Sequence, residues 1–429
     1  MNSISTTGTA SSFLLTFSST SSSSSSSNFS KSQIYPSSSS SSRFTCRNQL
    51  NPREDLPFIL HDTLQTSGID ITHAKDAREG FCSQIKRLSK IERQVSIAIN
   101  ASADLAKTAL LIAAEDDALV SHSSVPLPVK SFLERLDTLS MGFVSHYSLN
   151  LRSASPELFL DGLEKYLYGY KGFRRAPATD LPESRDLYLH SVLTHRSGSA
   201  VMLSLIYSEI LKMLRMWGLL NYDVEIYCPR DEVHFPKGYL KQKSKLSDQP
   251  YILTQQSLLV EILRSLKEVF WPFRYDPGRS LFLRAACAAK CISGPNTAEE
   301  TAFERASTKA AQHRLERGVW TSVRLGDMRR ALAASERLIL LDHDVDELRD
   351  YSILLYHCGF YKESWHYLSL YKNSTISSLK PNRYSSKLEQ MEADAVEELK
   401  TRLNLILMED NCTKPSDFRN SLESHSEPW

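Results

Sequence analysis

Hydrophobic positions over most of this chain recur every three or four residues, the period of an amphipathic helix. Thr72 opens one such pattern, carried by Ile85, Leu88, Ile91, Val95 and Ile99. A second helix is read through Leu105, Ala109, Leu110, Ile112 and Ala113, with Glu115, Asp116 and Asp117 at its end. A third follows Pro126-Leu127-Pro128 on Phe132, Leu133, Leu136 and Leu139. The segment Leu158 to Phe173 comes next, with Tyr166, Tyr168 and Tyr170 grouped near its end. Two helical patterns then meet at Arg196-Ser197-Gly198, where Gly198 is a natural helix stop and an apolar helix restarts. Ser184 stands where it can cap the first of the two.

Alternation replaces helical spacing at Asp223 to Cys228 (DVEIYC), which reads as a strand. Lys237 to Gln249 is polar and lysine-rich, an exposed insertion, and Leu258 to Phe270 is another helix ending at Trp271-Pro272. Beyond Gly294-Pro295-Asn296 the pattern around Gly326 and Ala331 recurs weakly around Gly359 and Ser364, each pair 33 positions apart. That spacing is close to the tetratricopeptide period of about 34. A last helix is read from about Tyr384 to Met408.

Composition changes the picture at the N-terminus. The first acid in the chain is Glu54, and serine fills Ser19 to Ser27, broken only by Thr20, and Ser37 to Ser42. Such a segment buries too little apolar surface to fold. Its serine-rich, acid-free and weakly basic character fits an organelle transit peptide. Phe44-Thr45-Cys46-Arg47 resembles the region around plant plastid cleavage sites, so the expectation is import into the chloroplast stroma with processing near Cys46. The rest of the chain is balanced, with a net charge of +1, and offers no basic domain of the kind nucleic acid demands. No apolar run approaches the roughly 18–20 residues that span a bilayer. Seven scattered cysteines do not make a secreted disulfide scaffold.

The stretch from Leu187 to Gly218 (LYLHSVLTHRSGSAVMLSLIYSEILKMLRMWG) carries the most information. Together with LAKTALLIAAED, VKSFLERLDTLS and the weak repeat, it resembles the SirB-type family of the transglutaminase-like superfamily. The resemblance implies an α+β fold: a helix-rich transglutaminase-like domain of the papain-like superfamily, followed by a short all-α tetratricopeptide-like tail. It also implies a cysteine two residues after the glycine, where the positive end of the helix dipole stabilises a thiolate. Ala200 stands there, and an alanine cannot attack a carbonyl. By the same resemblance His234, in Val233-His234-Phe235, takes the place of the histidine, and Asp276, in Tyr275-Asp276-Pro277-Gly278, that of the acid. These are relict positions, so the resemblance implies no catalytic residues.

Other constellations weigh less. Cys228 and His234 are close in sequence, but such pairs are made by spatial geometry, and Cys228 alternates with Ile226 and faces the core. Cys287 and Cys291 lie four apart amid alanines, without the second ligand pair a structural zinc needs. His190 is read as a satisfied, partly buried histidine, and Arg196 as a holder of the turn through helix-end carbonyls. Phosphate-cradling and dinucleotide-binding glycine motifs are lacking. Aromatic residues from Trp320 to Tyr371 are read mainly as packing between helices, with an exposed subset open to a peptide or partner.

The expected organisation is a disordered transit peptide over 1–46, an extended arm over 47–71, and the transglutaminase-like domain over 72–293. Tetratricopeptide-like repeats over 294–375 and a helix with a disordered tail over 376–429 follow. The expected role is non-catalytic, a binding or regulatory module that takes a protein partner, with its helical repeats as one candidate surface. No cofactor, metal, nucleic acid or membrane span is expected. The alternative is an atypical hydrolase or amidase that uses His234 with a serine or Cys228.

Overall fold

The computed structural model describes residues 59–66, 68–97, 103–121, 125–147, 155–177, 184–229, 234–243, 245–273, 278–291, 327–341, 344–378 and 387–412. All of them belong to one unit, Asn51–Trp429. The serine runs, Val233, Asp276, Trp320 and Gly326 lie outside the described residues.

The helical spacing becomes helices, with different ends from those expected. Within the stretch read as an extended arm, α1 (Ile59–Thr66) buries Ile59, Leu60 and Leu64. Helix α2 (Thr72–Arg87) stops short of the apolar positions that seemed to extend it, because Leu88 is already extended. Ile91 is 76% exposed, and a 3-10 turn covers Glu92–Gln94. Helix α3 (Leu105–Ser121) runs past Glu115 and Asp116 instead of ending on them.

Helix α4 (Val129–Tyr147) is followed by α5 (Pro156–Glu164), which starts cleanly because Ser155 accepts from the Leu158 amide and Pro156 needs no amide partner. The chain then widens into a π-helix at Lys165–Tyr170, a form often found at functional sites. Strand β1 (Arg174–Arg175), α6 (Leu189–His195), β2 (Ser197–Gly198) and α7 (Ala200–Met216) follow. Ser184 begins a 3-10 turn, and the residue before α6 is Tyr188, which makes no side-chain cap.

Strands β3 (Val224–Tyr227), β4 (Lys237–Leu240) and β5 (Ile252–Leu253) form an antiparallel sheet in the order β4-β3-β5. The lysine-rich stretch read wholly as an insertion therefore opens with a paired strand, Tyr227 facing Lys237 and Val224 facing Leu240. Helix α8 (Gln255–Phe270) is capped by Thr254, and α9 (Leu281–Ala288) by Ser280.

Four more helices follow among the described residues: α10 (Met328–Leu341), α11 (Asp346–His357), α12 (Tyr361–Ser378) and α13 (Lys387–Cys412). They make a C-terminal helical bundle whose first helix packs against α8. Ala331 and Ser364 are fully buried, as close helix approach requires.

A buried ionic cluster ties this bundle to the earlier helices. Arg78 of α2 grips Glu115 of α3 through Nε and a second nitrogen, and reaches Glu336 of α10 at 2.6 Å. Arg337 bonds Glu115 at 3.1 Å and also pairs with Asp116. Tyr351 donates to Glu336 and Tyr188 to Asp116, so the cluster joins four helices and the residue before α6. Burial alone would raise the Glu115 carboxyl, yet Arg337 and Arg78 hold it well below the usual carboxylate range. A second tie joins Lys267 of α8 to Glu347 at 2.5 Å and Asp350 at 2.9 Å, both on α11.

Candidate functional site

The turn that opens α7 is built from the backbone outward. Helix α6 ends with Arg196 in the left-handed region, at φ 57, while its amide still reaches the Val192 carbonyl at 2.8 Å. The strained residue is therefore Arg196, and Gly198 is not the helix stop. Gly198 lies in β2, paired with Arg175 of β1. What demands a glycine there is space, since a Cβ would fall 2.6 Å from a methyl of Val192. Arg196 does bond a carbonyl through its guanidinium, at 3.0 Å, but it is that of Lys171, just past the π-helix. Its side chain thus fastens the turn to the preceding segment.

Ala200 is the first residue of α7 and is half-buried. Its neighbours are committed to holding the helix. Ser199 accepts from the Met202 amide, and the Ser204 hydroxyl donates back to the Ala200 carbonyl at 2.8 Å. Cys228, just after β3, lies beside Ser204 and Arg175. Burial pushes its thiol up, and these two neighbours only partly offset it. At neutral pH Cys228 is a thiol, in keeping with its inward-facing place beside the fully buried Ile226.

Arg175 connects the two halves of the site. It pairs with Gly198 through the backbone, and its guanidinium donates to the His234 carbonyl at 2.7 Å. His234 is exposed. The loop around it is pinned further by Tyr168, which donates to the Pro236 carbonyl at 2.6 Å and stacks on Phe235 with ring centroids 4.3 Å apart. The structure thus gathers Ala200, Ser204, Cys228, Arg175 and the His234 backbone into one neighbourhood. Asp276 falls outside the described residues, so they do not contain a complete triad.

Three residues here escaped the sequence reading. Arg175 and Tyr168 carry no motif, and their roles come from the parallel β1–β2 pair and the π-helix. Glu164 sits at the end of α5, where burial raises its carboxyl to about 6 against the pull of Lys237. The grouped tyrosines of the π-helix were visible in the sequence, but the turn that aims Tyr168 at the His234 loop was not.

The remaining candidates resolve simply. His190 is half-buried and its Nδ1 finds no partner, so it is not the satisfied histidine expected, and burial pushes its pKa down. Cys291 lies beyond the end of α9, after Lys290 has turned into the left-handed region, so the two cysteines do not share a helix face. Arg279 donates to Cys287 instead. Among the described residues no group of three or more His, Cys, Asp or Glu side chains is placed to hold a metal.

No curated protein and no solved structure matches the chain. Residues 130–217, from the start of α4 to the end of α7, match the family model Transglut_core2, the transglutaminase-like superfamily. The segment that opens on α4 and closes on the helix begun by Ala200 is therefore a transglutaminase-like superfamily domain.

Proposed function

We propose that this is a non-catalytic member of the transglutaminase-like superfamily, of SirB type, serving as a binding or regulatory module in the chloroplast. One observation carries the reading: the helix that would present a nucleophile begins with Ala200, and the hydroxyls beside it are spent on the helix itself. A thiol step needs a thiolate held near a base. The thiol nearest this turn, Cys228, is kept protonated by burial. The degenerate cleft or the C-terminal helices then serve a protein partner, and the repeat spacing favours a tetratricopeptide-like origin for those helices. The serine-rich leader supports plastid import.

The test of chemistry is turnover. The purified protein is expected to show no amidase or acyl-transfer activity above background. Ala200→Cys is expected to create a thiol at a helix N-terminus with a pKa below the ~8.5 of a free cysteine. It should label with iodoacetamide faster than Cys228 does in the parent. Wild-type turnover abolished by His234→Ala would overturn the reading.

A second reading keeps a hydrolase that uses Cys228, because that thiol does reach the turn below position 200. Turnover lost in Cys228→Ala and unchanged in Ala200→Ser would favour it. For targeting, a fluorescent fusion of residues 1–60 is expected in chloroplasts, and a cytosolic fusion would refute import.

A further inference from the structure

The near-neutral net charge of +1 hides an uneven surface. Between Phe235 and Ser247 the chain carries Lys237, Lys241, Lys243 and Lys245 and no acid. All four lysines are exposed. The fold does not leave this stretch as a loose loop. Strand β4 is anchored on β3, the chain makes a 3-10 turn at Lys241–Lys243, and a second 3-10 helix at Leu246–Tyr251 returns it to β5. Both ends are therefore fixed by the sheet.

At the start of that second helix stands Leu246, which is 90% exposed. Phe235 is also exposed, while Tyr239 and Tyr251 are half-buried in the same excursion. The local acid is turned to structural use. Asp248 accepts from the Lys245 amide, the Ser247 hydroxyl and the Tyr239 hydroxyl, each at 3.1 Å. Lys243 is paired with Glu157 at 2.7 Å, and the exposed Lys241 and Lys245 precede the exposed leucine in the chain.

We propose that this excursion between β4 and β5 is a peripheral docking site for an anionic phospholipid surface. Lysines are drawn to such a surface, and an apolar side chain next to them enters the boundary of headgroups and acyl chains. Tyrosine is suited to the same depth, with an apolar ring and a polar tip. The contact is reversible, since one leucine and a few lysines fall far short of a transmembrane anchor.

The same charges without the leucine would suit single-stranded nucleic acid, which stacks bases on aromatic rings. Here the rings are engaged with one another. Tyr227 stacks on Tyr251 with centroids 5.5 Å apart, lies 6.0 Å from Tyr239, and has the Lys237 ammonium over its face at 5.8 Å. Leu246 offers a base nothing comparable to what it offers a lipid. Lipid is the better match.

Flotation of the full chain with vesicles tests this directly. Binding is expected to phosphatidylcholine vesicles containing phosphatidylglycerol, not to phosphatidylcholine alone, and to weaken as salt rises. Lys241→Gln with Lys245→Gln is expected to weaken binding about 25-fold, roughly fivefold per lysine. Leu246→Ser is expected to cost roughly tenfold. All three positions are exposed, so circular dichroism should show an unchanged fold. Equal binding to neutral and anionic vesicles, no binding to either, or a double variant that binds like the parent would overturn the proposal. So would binding of a single-stranded oligonucleotide in place of vesicles.

Discussion

His357 ends α11 and is 5% exposed, with its Nε2 donating to the Ala285 carbonyl of α9 at 2.9 Å and its ring 4.4 Å from that of Phe273. Burial disfavours the imidazolium and pushes the pKa down from 6.5 to about 4, with the bond to the Ala285 carbonyl only partly opposing it. The folded protein therefore holds His357 neutral, while the unfolded chain takes up a proton below 6.5. Stability from this group is present above pH 6.5 and is lost as the pH falls towards 4. Linkage sets its size: from pH 7.5 to pH 5 the loss is about 2 kcal/mol, approaching about 3 kcal/mol below pH 4.

Glu164, raised to about 6, works in the opposite sense, since its contribution is present below pH 4.5 and lost as the pH rises through 6. The comparison that isolates His357 is between the wild type and His357→Gln, whose amide nitrogen can still donate but does not titrate. Urea denaturation of both proteins at pH 7.5 and pH 5 should show the wild-type advantage shrinking by about 2 kcal/mol, with Glu164 cancelling. The His357 imidazole resonances should titrate near 4 by NMR. A difference between the two proteins that stays within about 0.5 kcal/mol across that range would refute the reasoning.

Three further outcomes are expected. Gly198→Ala places a methyl against Val192 and should cost about 1–3 kcal/mol in chemical denaturation, with part recovered by adding Val192→Ala. Arg337→Met removes the buried cation that Asp116 pairs with and one of the two that hold Glu115, and should cost roughly 3–5 kcal/mol, whereas a loss under 1 kcal/mol would mean the cluster is not closed as described. Leu203→Ala, on the fully buried face of α7, should cost about 2–5 kcal/mol by the shift of its denaturation midpoint.

Much of the local structure was legible from residue spacing. The apolar positions of α3, α4, α7 and α8 recur at three and four residues because those helices bury a face, and the alternation of DVEIYC became β3. Spacing misled where it outran the backbone. Ile91 continues the period of α2, but the helix has ended, and periodicity carries no information about where a chain turns.

At the site, the sequence alone determined that position 200, at the start of a helix, is an alanine and carries no thiol. Only the tertiary structure decided what lies around it. The left-handed turn falls on Arg196, while Gly198 is needed for close approach to Val192. Cys228 meets Ser204 because β3 packs on α7, and Arg175 meets the His234 loop because β1 lies beside β2. The ionic cluster is the clearest case. Glu115 and Asp116 read as a polar helix end, yet Arg78 and Arg337 hold them in the interior, and Arg78 also reaches Glu336, 258 positions away. Spacing reports which face of a helix is buried. It is silent on partners hundreds of residues away, because those are chosen when the helices meet.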